Sequence, residues 1–582
     1  MDLDMSSMAA ALGLSVPVLR FLLCYVATIP ISFLWRLVPR TLPKHIYAAF
    51  TGALLCYLSF GVSSNLHFLV SILIGYLSML VYRPKCGLIA FFAAFGYLIG
   101  CHVYYMSGDA WKEGGIDTTG ALMVLTLKVI SCAINYQDGL LKDEDLREAQ
   151  KKNRLLKKPS LIEYVGYCLC CGSHLAGPVF EMKDYLDWTE GKGLWSPSEK
   201  QPSPWGGVGR ALLRAAICMA LYLNLVPYFP LSTFTNPSYG EWGFFKKLGY
   251  QYLCGFTARW KYYFIWSISE AATIISGFGF SGWTNTSPPK PKWDRAQNVD
   301  IIGVELAKSA VQIPLVWNIQ VSTWLRHYVY ERLVQKNKKG GFFQLLATQT
   351  VSAVWHGLYP GYIFFFVQSA LMIAGSKVIY RWQQGVSAGI LKKLLTFVNF
   401  AYTMLVLNYS AVGFMLPLIT YSLLSPPRFD VSVSLFFPSL PSFPLCLYFP
   451  PTVSLFSYAP TDAVAHIHLH LLTLLFFPPQ PTISHSSLCA MPAFVTLRLF
   501  WLGLLRFQPF RGEVLEETFS VPVSPRHRYV GLAPQVLSLH ETLTAYGSVY
   551  YIGTIVPVVL LILGSVVKPP RPARSKAQKK EL

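Results

Sequence analysis

Apolar residues run through this chain in long blocks separated by short polar breaks. A membrane-spanning helix needs about 20 apolar residues. Eleven stretches approach that length: 16–35, 47–63, 66–82, 87–106, 121–136, 208–230, 262–280, 343–357, 362–380, 395–415 and 546–567. The pattern predicts an all-α, polytopic membrane protein with about eleven transmembrane helices. A further apolar stretch, 160–180, contains Glu163, His174, Gly177 and Pro178. Those interruptions predict a broken or re-entrant segment. The first stretch reads as a membrane helix rather than a cleavable signal peptide. Asp2 and Asp4 stand where a basic leader belongs, and the apolar run is too long.

Composition agrees with the pattern. The chain is 53% hydrophobic and 13% charged, with mean hydropathy +0.40. Soluble proteins carry about 25% charged residues. Loop charge then gives an orientation. Arg36, Arg40 and Lys44 follow the first stretch, Arg83 and Lys85 the third, and a lysine-rich loop, 142–158, the fifth. The intervening breaks are neutral or acidic. Basic loops face the cytosol, so the N-terminus is expected outside it and the basic tail, 568–580, inside. Opposite ends fit an odd number of crossings. The net charge of +20 is then read as cytosolic-face charge beside anionic headgroups, with no reason to invoke nucleic acid. Lys579-Lys580 near the end resembles a dilysine retrieval signal and predicts residence in the endoplasmic reticulum. The 12 cysteines lie mostly in apolar runs and suggest buried small residues rather than a disulfide framework or a zinc site.

Two polar islands carry the candidate chemistry. Trp355-His356-Gly357 lies in the apolar stretch 342–380, and Trp317-Asn318 in the run 313–324. A histidine and an asparagine at membrane depth are costly and mark functional sites. They suggest proton-transfer chemistry inside a bilayer. Bland readings exist beside it: a satisfied core histidine, and an asparagine acting as glue between helices. A transporter with His356 and Asn318 at its midplane is an alternative class, but no inverted repeat is evident.

Four segments together resemble the membrane-bound O-acyltransferase family. Trp355-His356-Gly357-Leu-Tyr-Pro-Gly361-Tyr362 is similar to its WHGxxxGY signature. Lys292-Trp293-Asp294 resembles the WD element of the lysophospholipid acyltransferase branch. Gly177-Pro178-Val-Phe-Glu-Met-Lys-Asp184-Tyr185 resembles GPxFxxxxY, and the segment from Trp317-Asn318 through Trp324 to Tyr330 resembles the asparagine-bearing element. The likeness covers 1–415 and 536–582 and is strongest to plant enzymes of the lysophosphatidylcholine type. It implies a helical chamber and transfer of an acyl group from acyl-CoA, a co-substrate, to the sn-2 hydroxyl of a lysophospholipid, with no cofactor or metal. It implies His356 as general base and Asn318 as its catalytic partner, either orienting the acceptor or donating to the thioester oxygen. Trp317, Trp324, Trp355, Gly357, Trp293 and Asp294 would bind or support, and His174 could line a substrate tunnel. Another acceptor, diacylglycerol or a protein, is the alternative within the family.

The chain departs from that pattern between Met415 and Val536. Residues 416–535 contain no lysine and hold 17 of the chain's 39 prolines. Proline at this density breaks helices and central strands. The segment reads as an atypical insertion, disordered or derived from non-coding sequence. His466-Ile-His-Leu-His470 within it lacks a full ligand set, so no metal site is expected there. The three expected units are thus a 1–415 acyltransferase core, the 416–535 insertion, and a 536–582 last helix with a basic tail.

Overall fold

The computed structural model describes residues 5–12, 14–106, 118–170, 172–198, 201–338, 340–387, 389–415 and 539–567. The 416–535 insertion and the tail lie outside the described residues. Each of the eleven apolar stretches falls on helix. The principal helices are numbered here in chain order. The first five are α1 (Val16–Leu37), α2 (Thr41–Phe60), α3 (Val62–Val81), α4 (Cys86–Met106) and α5 (Thr119–Asp138). The short α6 (Leu161–Cys168) and α7 (Met182–Thr189) follow, then α8 (Trp205–Leu225) and α9 (Phe244–Ile275). The rest are α10 (Ile319–Leu325), α11 (Phe342–His356), α12 (Pro360–Gly385), α13 (Ile390–Met415), α14 (Leu539–Gly547) and α15 (Ile552–Val566).

Seven of these, α1, α3, α4, α5, α8, α12 and α13, are long and apolar enough to cross a membrane. By that measure four of the expected eleven drop out: 47–63 on α2 and three others with a plain physical reason. Helix α9 is long but carries Lys246, Lys247, Arg259 and Lys261. Helix α11 has only 15 residues. The last expected span is two helices, broken where Tyr550 and Tyr551 take positive φ of 55° and 50°. The 160–180 stretch is broken as expected: α6 starts on a capping box between Ser160 and Glu163 and stops at Cys168.

Helix α5 is the spine. Nearly its whole surface is buried, and α3 and α4 pack along it. A core of α1 to α7 residues surrounds it, joined by Trp324, Tyr328 and Trp355 from later in the chain. Buried charges among the described residues find partners, as an apolar medium requires, either an opposite charge or dipoles. Arg259 on α9 meets Glu305 at 2.7 Å and the Asn408 Oδ1 of α13 at 2.7 Å, while the Tyr263 hydroxyl donates to Glu305 at 2.6 Å. Lys128 on α5 donates to the carbonyls of Tyr167 and Cys168, at the C-terminal end of α6. A cation suits that end of a helix dipole.

Two of the basic loops, the turn at Arg83 and the 142–158 loop, meet. Arg83 donates to the carbonyls of Tyr136 (3.2 Å) and Leu156 (3.1 Å), and Arg332 grips Asp138 at 3.0 and 2.6 Å. Arg147 donates to the Val334 carbonyl at 2.6 Å. All lie about the C-terminal end of α5.

Candidate active site

The tryptophan-histidine-glycine motif ends α11, and its residue types explain why. Gly357 has φ 122°, a backbone conformation side chains rarely adopt, so the helix stops directly after His356. Pro360 then opens α12 as a favoured first-turn residue. Gly361 lets α12 lie against α13: a Cβ there would sit 1.9 Å from the Gly413 carbonyl oxygen. That approach delivers Phe414, the next residue of α13, to the imidazole. The His356 ring stacks on Phe366 (centroids 4.8 Å, 21°), meets Phe414 edge-on (5.3 Å, 86°) and has Tyr362 at 6.0 Å. The histidine is partly accessible inside an aromatic cage built from α11, α12 and α13.

The helix carrying His356 is fixed to α5. Trp355 is buried, and its indole Nε1 donates to the Met123 carbonyl at 2.9 Å. The carbonyl of Trp355 accepts from His102 Nε2 at 3.2 Å, which places the His102 proton on that nitrogen, since a carbonyl can only accept. His102, on α4, is a site neighbour that sequence reading passed over.

The asparagine segment is fixed to the same helix. Trp324 Nε1 donates to the Leu127 carbonyl at 3.0 Å, and the Tyr328 hydroxyl oxygen lies 3.0 Å from Asn135 Oδ1. Arg332 then holds Asp138. As the segment advances through 324, 328 and 332, its partners advance through 127, 135 and 138, so it runs alongside α5 in the same direction. Asn318 stands at the start of the segment that Trp324 anchors, and His356 follows Trp355 directly, so the two candidate residues are carried by segments fixed to α5 carbonyls one turn apart, Leu127 and Met123.

Asn318 caps the N-terminus of α10 in the left-handed region (φ 44°, ψ 52°), which asparagine tolerates better than most residues. Trp317 before it packs edge-on against Tyr262, Tyr263 and Trp266 of α9, with centroids 5.8, 5.8 and 5.0 Å away.

The remaining expected residues separate. Trp293 is buried with Val208, Ala211, Ile274 and Phe280. Asp294 is exposed and accepts from the Ser281 hydroxyl, next to a two-stranded hairpin in which Gly282 pairs with Lys292. Arg295 reaches Asp184 at 3.3 Å, tying this element to the Gly177–Tyr185 motif. Trp293 and Asp294 anchor a strap, and the strap continues to Asn318. His174 is buried elsewhere: its ring pairs with the Cys56 thiol and lies edge-on to Phe68 at 4.8 Å.

What this arrangement offers is an imidazole set among aromatic rings and an amide whose preceding residue, Trp317, is packed among others. Over residues 103–416 the sequence matches the profile of MBOAT, the membrane-bound O-acyltransferase family. It is 59% identical over 583 positions to Lysophospholipid acyltransferase 1 of Arabidopsis thaliana, covering 100% of both chains. It is 74% identical over 417 positions to Lysophospholipid acyltransferase 2 of the same plant, covering 71% of this chain and 90% of that one. Lysophospholipid acyltransferase of Schizosaccharomyces pombe is 29% identical over 433 positions, covering 71% of this chain and 84% of that one.

Proposed function

We propose a reaction for this chain, which belongs to the membrane-bound O-acyltransferase family: it transfers an acyl group from acyl-CoA to the free hydroxyl of a lysophospholipid within the membrane. The observation that carries the reading is that the segments bearing His356 and Asn318 are both anchored to α5, at carbonyls one turn apart, in a chain whose relatives are named lysophospholipid acyltransferases. The acceptor is lysophosphatidylcholine, acylated at sn-2 in phospholipid remodelling.

A lipid hydroxyl is a poor nucleophile until a base takes its proton. His356 takes it as the oxygen attacks the thioester carbonyl carbon, a task that contributes about 10²–10⁴-fold. A carbon–oxygen bond forms and the carbonyl electrons move onto oxygen, where Asn318 acts. When the carbonyl reforms, the carbon–sulfur bond breaks. The CoA sulfur leaves with the electron pair and receives the proton held by His356. Attack is direct, and no acyl-enzyme is involved. The aromatic cage of Phe366, Phe414 and Tyr362 keeps water from competing with the lipid hydroxyl.

Residence in the endoplasmic reticulum, with basic loops and C-terminus toward the cytosol, completes the reading. It is supported by the meeting of two basic loops, at Arg83 and 142–158, about one end of α5 and by Lys579-Lys580. The test is acyl transfer by the protein in membranes, using acyl-CoA and a panel of lysolipids. Lysophosphatidylcholine should be the best acceptor, and His356→Ala should lower turnover by about 10² or more at equal protein level. A His356→Ala enzyme that keeps wild-type turnover removes the assignment.

A further inference from the structure

The asparagine at the site has two faces, a carbonyl that accepts and an NH₂ that donates, and they support opposite roles. We infer that Asn298 sets which face the reaction meets: it is a positioning residue that holds Asn318 as a hydrogen-bond donor to the developing oxyanion of the thioester. This rests on the reading that Asn318 acts in acyl transfer.

The inference follows from a chain of hydrogen bonds that starts at a group with only one possible role. The Gln320 backbone N–H donates to Asn298 Oδ1 at 3.0 Å. A backbone N–H cannot accept, so the atom facing it must be the Asn298 oxygen. The other end of that amide is therefore Nδ2, which can only donate. It lies 3.0 Å from Asn318 Oδ1. Asn318 consequently spends its oxygen on Asn298 and turns its own NH₂ to the other side. Neither amide is left to choose its orientation.

The surroundings hold Asn298 rigidly. It is buried. Its carbonyl accepts from the Ile319 N–H at 2.9 Å, and Val299 forms an antiparallel bridge with Trp317. Asp300 N–H donates to the Val316 carbonyl at 2.9 Å. The Gln320 side chain donates to the Arg295 and Gln297 carbonyls at 3.1 and 3.0 Å. Residues 295–300 thus form a strap that clasps both flanks of Asn318, anchored upstream by Trp293 and Asp294. An NH₂ fixed in advance is what oxyanion stabilisation requires, because its orientation costs nothing at the moment of reaction.

Two substitutions test this. Asn298→Asp keeps an oxygen for the Gln320 N–H but replaces the donor with a second acceptor. The Asn318 amide must then turn over and present its carbonyl to the reaction. Asn318→Asp keeps the bond from Asn298 and the fold, but presents an oxygen where the NH₂ stood. Each should lower kcat by about 10²–10³-fold, the loss typical of a missing oxyanion donor, with KM for both substrates changed less than about twofold. In a double mutant on an Asn318→Ala background, Asn298→Asp should lower kcat no further. A merely structural role would instead multiply the two losses and alter the melting temperature. Asn298→Asp at wild-type kcat, or losses that multiply, overturns the inference. If Asn298→Asp does not fold, Asn318→Asp decides alone, and turnover within about tenfold of wild type overturns it. Wild-type turnover in Asn318→Ala would instead defeat the underlying reading of Asn318.

Discussion

Replacing Gly361 with alanine tests whether the His356 cage depends on how closely two helices touch. The new Cβ would lie 1.9 Å from the Gly413 carbonyl oxygen and 2.8 Å from its carbon. Ordinary contact is roughly 3.5 Å, so α12 and α13 must part by roughly 1.5 Å at this crossing. Both surfaces are backbone, so no side chain can swing clear. Overpacking of this kind costs about 1–3 kcal/mol, which long membrane helices with many other contacts can absorb. The cage cannot. Phe414 follows Gly413 directly and moves with it, and its ring edge is one wall of the imidazole's surroundings. Misplacement by about 1 Å can cost about 10²-fold in rate. Gly361→Ala should therefore lower turnover by about 10²-fold while protein level stays near wild type. The assay is initial-rate acyl transfer in membranes, normalised to immunoblot signal. Gly96→Ala on α4 is the control, because a Cβ there meets nothing within 4 Å. Turnover of Gly361→Ala within about threefold of wild type would refute the argument.

Burial pushes Glu181 up to about 7, against the hydrogen bonds from Tyr328 and Asn135 that favour its charged form. The unfolded chain releases that proton near the ordinary carboxylate value, so between there and pH 7 the folded state holds the extra proton. Stability must then fall as pH rises through that window and level off above it; Glu181→Gln should flatten the melting-temperature profile there, and an unchanged profile would contradict the assignment. Deleting residues 416–535 should leave turnover equal or higher, since the family match ends at residue 416 and the segment is lysine-free and dense in proline. An inactive deletion beside an active full-length chain would make the segment a working part. An epitope added after Leu582 should be reached once the plasma membrane alone is permeabilised; protection until internal membranes are opened would reverse the orientation.

Helix positions were legible because long apolar runs leave few alternatives in a bilayer. Helix lengths were less so. The stretch 262–280 marked only half of α9, because Lys246, Lys247 and Arg259 lower its hydropathy. Glu305 and Asn408, distant in sequence, pair Arg259 and let the helix continue. At the site, His356 and Asn318 stood out as polar residues in apolar runs. Gly361 was visible within a motif, but its partner Gly413 carries no signal of its own. Phe366 and Phe414 looked like any apolar residue of a span. Asn298 lies in a polar loop, where an asparagine is unremarked, and only the hydrogen-bond chain reveals its part. His102 was hidden by the run around it. Trp293 and Asp294 became intelligible once the strap was seen.

Both indoles that locate the site, those of Trp355 and Trp324, donate to oxygens of the main chain of α5, at Met123 and Leu127. A carbonyl has two lone pairs, so each oxygen can serve the helix ladder and an indole together. Such acceptors exist whatever side chain occupies the position. The machinery is therefore indexed to a backbone rather than to residue identities. A single axial slip of α5 would pull on Trp355 and Trp324 together. Proline one turn further on would instead break the ladder itself at the oxygen an indole shares.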